Sequence, residues 1–269
     1  MFKEITIGQY YQTESPIHRL DPRVKLIATF AYIISLFVVH SWTGYLIAAV
    51  AVVIVIAASH VPFGYIMRGM KAVMMILMIT VIFNLFLTEG RPLVHFWKLT
   101  ITYEGVDFAS KMAVRLIFLI IGSSLMTLTT TPNQLTDALE DVLGPLKKIH
   151  VPVHEISMMM SIALRFIPIL MEETDKIMKA QIARGADFES GNIFKRAKAM
   201  VPLLVPLFIS AFRRANDLAM AMEARCYRGG EGRTKMKPLI YHKRDYLAYG
   251  CIAAYMVISI VVGRLAFLP

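Results

Sequence analysis

Few residues in this sequence have the types and spacing that chemistry requires, and the sets that come nearest point away from catalysis. Asp137, Glu140 and Asp141 have the makeup of the acidic clusters that metal-dependent lipid-modifying enzymes use. They fall on one short stretch with no second acidic cluster and no His at ligand spacing, so they read as a solvated helix face. Glu172, Glu173 and Asp175 read the same way, because Lys176 and Lys179 follow at the spacing of surface ion pairs. Gly185 to Gly191 lacks the Lys and the hydroxyl that hold a phosphate and its magnesium, and no Gly-x-x-x-x-Gly-Lys-Ser/Thr occurs, so the chain is not expected to hydrolyse ATP itself. Cys226 and Cys251, the two cysteines, have no spacing that suggests a metal site or redox pair.

What remains is a repeated pair. Ala180-Gln181-Ile182-Ala183-Arg184-Gly185 and Ala221-Met222-Glu223-Ala224-Arg225-Cys226 each put Ala-Arg at the end of a long amphipathic segment, 41 residues apart, and no other Ala-Arg occurs. On one reading each Arg simply meets the negative end of a helix dipole. On the other, the small residue lets a partner approach while the planar guanidinium enters an acidic or carbonyl-lined groove. Two such ends could grip two equivalent partners. Met158-Met159-Met160 fits packing first, with an adaptable partner surface as the second reading.

The elements that must carry these ends are set by composition. The 269 residues are 57% hydrophobic and 18% charged, with a formal net charge of +10. A soluble domain carries about a quarter charged residues. Leu26 to Met67 contains no Asp, Glu, Lys or Arg over 42 residues, about twice what a helix needs to cross a bilayer. The chain is therefore read as an integral membrane protein, and its basic excess as membrane topology rather than nucleic-acid binding. The first apolar run, from about residue 24, is too long for a signal-peptide core, so no cleaved segment is expected.

Asp21 can cap the first helix with Pro22 at its first position. Five spans follow: residues 24–40, 45–59, 72–88, 116–136 and 246–263. Under this model 24 basic residues fall on the side of the N-terminus against three in the opposite loop, Glu89 to Met112. Positive loops stay inside, so the N-terminus and residues 130–245 are expected in the cytoplasm and the C-terminus outside.

The chain thus divides into a cytoplasmic N-terminal segment (1–23), transmembrane helices 1 to 4 (24–130), a cytoplasmic helical module (131–245) and a C-terminal transmembrane helix (246–269). Within the module, Thr131-Pro132-Asn133-Gln134 has the form of a capping box, and Gly144-Pro145 ends that helix. A second helix starts near Val151-Pro152, with apolar residues such as Ile156, Met160, Ala163, Ile167 and Leu170 in steps of three and four. Glu172 with Lys176 and Asp175 with Lys179 lie on its other side, and Pro168 is placed to bend it. Its roughly 33 residues would make a rod of about 50 Å. A third runs from near Asn192 to about Arg225. Its uncharged stretch, Ala199 to Phe212, falls short of a span and contains Pro202 and Pro206. Secondary carriers place ionisable residues or broken helices at mid-membrane, and the five spans have no such charge in their cores.

The sequence resembles the transmembrane T component of energy-coupling-factor (ECF) importers of vitamins and metals. The resemblance is carried by Ser15-Pro16-Ile17-His18-Arg19-Leu20-Asp21-Pro22-Arg23-Val24-Lys25-Leu26, Thr131-Pro132, Val151-Pro152-Val153-His154-Glu155-Ile156, Ala163-Leu164-Arg165-Phe166-Ile167-Pro168 and the two Ala-Arg sites. It implies an all-α, L-shaped membrane scaffold of about five transmembrane helices with long amphipathic cytoplasmic coupling helices, in a bacterial or archaeal cell membrane. It further implies two ATPase subunits, identical or paralogous, docked on Ala183-Arg184-Gly185 and Ala224-Arg225-Cys226, and a separate substrate-binding S component. This chain would hold no cofactor, Mg-ATP being bound by the ATPases, and would bind no nucleic acid. Cys226 stands where the resemblance leads one to expect Gly, with Arg228-Gly229-Gly230 as a second possible helix stop. The alternatives are a stand-alone secondary carrier and a membrane-embedded lipid-modifying enzyme.

Overall fold

A computed structural model describes residues 10–88, 90–96, 99–188, 192–230, 235–236 and 238–265. Their regular elements are helices apart from one hairpin, and they form two compact units, one drawn from Gly8–Asp141 with Leu239–Pro269 and the other from Val142–Pro238.

In the first unit, α1 (Pro22–Val38) starts where the sequence places it, with Asp21 accepting the Arg23 N–H and Pro22 at the first helical position. α2 (Trp42–Ser59) is capped by Ser41 and ends on His60 in a left-handed conformation. α3 (Phe63–Leu87) is a broken helix whose parts, Phe63–Lys71 and Val73–Leu87, meet at 60°. β1 (Pro92–Phe96) and β2 (Leu99–Thr102) then pair antiparallel, with Phe96 opposite Leu99. α4 (Tyr103–Thr129) follows, capped by Thr102, whose hydroxyl accepts from the Gly105 N–H. α5 (Pro132–Leu143) carries the expected capping box. The Gln134 N–H donates to Thr131 Oγ1 at 3.3 Å and the Thr131 N–H donates to Gln134 Oε1 at 3.2 Å. α8 (Lys243–Leu265) closes the unit.

Residues 89–112 differ from the simple loop expected from hydropathy. They hold the hairpin and the first turns of α4, where Lys111 pairs with Asp107 at 2.6 Å, one helical turn apart. Arg115, expected at a helix end, lies well inside α4. Its Nε donates to the Tyr45 hydroxyl at 3.1 Å and its Nη2 to the Val39 carbonyl at 3.3 Å, which satisfies a carbonyl at the end of α1.

The apolar core of this unit lies among α2, α3 and α4, with Val52, Ile66, Met70, Ile121 and Leu125 buried together. α1 sits close against α4 at Gly122, where an added Cβ would come within 2.6 Å of the Tyr32 ring. Large apolar side chains elsewhere on α2, α3 and α8 face outward, as on helices whose surroundings are lipid.

Among the described residues four helices are long and apolar enough to cross a membrane: α2, α4, α8 and the long helix Val153–Ala183. The two parts of α3 count as a fifth if they form one broken span. α1, at 17 residues, is slightly shorter.

The residues around Asp21 form a polar knot. The Arg23 guanidinium forks onto Asp21, Nε to Oδ1 at 3.0 Å and Nη2 to Oδ2 at 2.8 Å. It also reaches Asp141 at 3.3 Å and the Leu239 carbonyl at 3.0 Å, and lies 3.8 Å over the Tyr241 ring. Asp245, 1% exposed, accepts the Asp21 N–H at 2.9 Å and the His242 N–H at 2.8 Å. Lys25, 6% exposed, donates to the carbonyls of His18 and Thr129 at 3.1 and 2.8 Å. The acidic residue Asp141 is thus an ion-pair partner of Arg23, and not part of a freely solvated face.

In the second unit a 3₁₀ turn (Gly144–Ile149) leads into α6 (Val153–Ala183), which continues through Pro168 as one helix of 31 residues, and α7 (Ile193–Ala224) packs beside it. The C-terminal boundaries of both match the sequence expectation. Met159 and Met160, expected to pack, are exposed on α6.

Candidate functional site

A helix leaves its last four carbonyls without intrahelical donors, and how these are satisfied fixes the direction of the chain beyond. At the end of α6, Arg184 is the C-cap and Gly185 takes φ +89°. The Gly185 N–H donates to the Ile182 carbonyl at 2.9 Å and the Ala186 N–H to the Gln181 carbonyl at 2.9 Å. This is the paired-bond ending that a left-handed residue makes possible.

The end of α7 repeats it atom for atom. Cys226 takes φ +55°, its N–H donates to the Glu223 carbonyl at 2.8 Å, and the Tyr227 N–H donates to the Met222 carbonyl at 3.0 Å. The helix therefore stops at Cys226, and Gly229, also left-handed at φ +88°, lies beyond the stop.

Ala183, Arg184, Gly185, Ala224, Arg225 and Cys226 are all exposed. Among the described residues neither guanidinium has a hydrogen bond or ion pair. Each arginine sits at the carbonyl end of its helix beside a one-carbon side chain, so a partner can close on the planar cation without displacing bulk. The structure places the two sites on the ends of two packed helices.

Sequence reasoning missed how α6 and α7 hold one another. Glu173, read as a surface partner of the neighbouring lysines, accepts from the Ser210 hydroxyl at 2.5 Å on Oε1 and from Arg214 Nη2 at 2.9 Å on Oε2. The Ser210 hydroxyl and the Arg214 charge hold its carboxyl below the usual carboxylate range. A signal for this existed: Glu172-Glu173 and Arg213-Arg214 stand at the same 41-residue offset as the two Ala-Arg pairs. Near the start of α6, Gly230 packs against the His154 ring so closely that a Cβ there would clash. Among the described residues no three His, Cys, Asp or Glu side chains gather as metal ligands would.

The family model for the cobalt transport protein CbiQ matches residues 13–236, which includes Asp21, Arg23, Lys25 and Asp141 of the polar knot, both helices and both ends. The energy-coupling factor transporter transmembrane protein EcfT of Clostridium kluyveri is 56% identical over 263 residues, 97% of each chain. This chain belongs to the EcfT family of energy-coupling factor transporter transmembrane proteins. The EcfT of Thermosediminibacter oceani is 54% identical over 260 residues, 96% of this chain and 98% of that one. The EcfT of Lactococcus lactis subsp. cremoris is 42% identical over 261 residues, 97% and 95% respectively.

Membership in the EcfT family agrees with the apolar helices, and the chain is a multi-pass membrane protein, the non-catalytic transmembrane component of an ECF transporter. The two matched endings are then features of a transport subunit.

Proposed function

We propose that this chain is the scaffold and coupling subunit of an ECF-type importer. It joins two cytoplasmic ATPases to a separate substrate-binding membrane subunit, for uptake of a vitamin or a metal ion. One ATPase docks at Ala183-Arg184-Gly185 and the other at Ala224-Arg225-Cys226. The ATPases bind Mg-ATP, and this chain needs no cofactor of its own.

The observation that carries the reading is the identity of the two endings. Two equal subunits call for two equal receptors, and a matched pair of exposed arginines on matched helix stops supplies them. The exposed apolar positions of α6 and α7, among them Ile156, Met159, Phe208 and Phe212, offer the surface on which a membrane partner would rest.

In the proposed orientation the N-terminus and residues 130–245 lie in the cytoplasm and the C-terminus outside. α6 satisfies the length and apolarity of a span, but its face carries Glu155, Arg165, Glu172, Glu173, Asp175, Lys176 and Lys179. Charge at that density is costly in hydrocarbon and favourable at a surface where the arms must meet soluble ATPases.

Movement requires that the ATPase dimer, open and closed, bind the two arm positions with different free energies. Closure on ATP would bring the arginine ends to a new separation, and the arms would pass this to the substrate-binding subunit. Mild-detergent purification of the tagged chain from its own host tests the assembly. Two ATPase copies and one small hydrophobic subunit per chain are expected; a solitary chain would contradict the proposal.

A further inference from the structure

The polar contact between α6 and α7 has a defined place on each helix. Glu173 lies 11 residues before Arg184, and Arg214 lies 11 residues before Arg225. Each member of the ion pair therefore precedes the arginine of its own helix end by about three turns, or roughly 16 Å. Eleven residues bring a helix back to nearly the same face, so the clamp and the end lie along one stripe of each helix.

The separation of Glu173 from Arg214 is 41 residues, the same as between the two Ala-Arg sites. Equivalent points of the two arms are thus in contact, and that point is equidistant from both ends. Charge follows the same correspondence, with Glu172-Glu173 on one arm where the other has Arg213-Arg214. The sign reversal favours pairing of α6 with α7 over any like pairing.

Apolar contact alone leaves helices free to slide and roll, since it is not directional. The Glu173 contact is directional at two points, one carboxylate oxygen taking the Ser210 hydroxyl and the other taking Arg214. Register and roll are both fixed there. The side chains are partly open to solvent, 24% for Glu173 and 39% for Arg214, which suits a joint that turns rather than a buried lock.

We propose that Glu173 and Arg214, steadied by Ser210, are positioning residues that form the pivot of two equal arms, so that displacement of one arginine end is answered at the other. The proposal rests on the docking of ATPases at those ends. Without the pair, each end still binds its ATPase, but closure at the ends no longer turns the arms about a shared point, and ATP is spent without uptake.

The test uses the full complex of this chain, its ATPases and its membrane partner in lipid vesicles, comparing wild type, Glu173→Gln, Arg214→Gln and the reversed pair Glu173→Arg with Arg214→Glu. The quantity read is substrate taken up per ATP hydrolysed, beside the ATPase content of each complex. Each single variant should keep both ATPases and lose about tenfold in uptake per ATP, and the reversed pair should recover most of the loss. Assembled single variants with the wild-type ratio would overturn the pivot alone. So would a reversed pair as defective as the singles, or single variants that shed their ATPases, which would make the pair merely structural. A wild-type complex without ATPases would overturn the docking reading and the pivot with it.

Discussion

Gly185 and Cys226 occupy the same place in two helix endings, each the left-handed residue after an arginine C-cap and each donating its N–H to the carbonyl three residues before it. Glycine takes that conformation freely, whereas a residue with a Cβ is strained by about 1 kcal/mol. At Cys226 the two hydrogen bonds of the ending offset that strain.

Cys226→Gly should therefore keep uptake and raise the melting temperature of the purified chain, in keeping with about 0.5–1 kcal/mol of relief. Cys226→Val, with a branched Cβ that resists positive φ, should lower it and should impair the docking at Arg225. Thermal unfolding of the two variants in the same detergent checks both directions.

Asp245 holds the amides of Asp21 and His242 from a nearly fully buried position. Asp245→Ala leaves two donors without acceptors, and a buried unpaired group costs about 1–3 kcal/mol. A loss of roughly 2–4 kcal/mol is expected for Ala and about 1 kcal/mol for Asn, which keeps one oxygen. Denaturation of the two variants against wild type reads the difference.

The His18 ring places Nε2 at 3.0 Å from the Tyr11 carbonyl, so that nitrogen carries the proton, and Nδ1 accepts from the Ser15 hydroxyl at 2.7 Å. Burial, and next the Lys25 charge, hold its pKa below the ordinary 6.5. The unfolded chain then takes up a proton before the folded one does, so stability is complete above 6.5 and declines as pH falls through the window between the two values. Wild type should lose more melting temperature than His18→Gln between about pH 7.5 and 5.5. Equal losses would show that His18 does not carry the pH dependence.

Local signals were legible in the sequence and distant ones were not. Asp21-Pro22 and Thr131 with Gln134 announce their helix starts because donor and acceptor lie within three residues. Asp245 could not be matched to Asp21 across 224 residues, since nothing in either neighbourhood names the other. The start of α4 was hidden because Asp107 and Lys111 favour a helix through pairing while lowering the local hydropathy. The two arginine ends were visible as a repeat, yet the helix stop at Cys226 was not. It depends on carbonyls that need donors and not on the usual residue preference.

In the proposed topology five spans, α1 to α4 and α8, put the two termini on opposite sides of the membrane. A reporter active only outside the cell should be active on the C-terminus and silent on the N-terminus, with the cytoplasmic reporter giving the reverse. Were α6 a sixth crossing, both termini would report the same side.

In the proposed assembly Arg184 and Arg225 hold the ATPases, which is read from the number of ATPase copies retained by the wild-type chain and by Arg184→Ala with Arg225→Ala, purified from the same host membranes at equal expression. Two copies are expected on the wild type and a nearly complete loss on the double variant, with the chain still inserted in the membrane. Two copies on the double variant would contradict it.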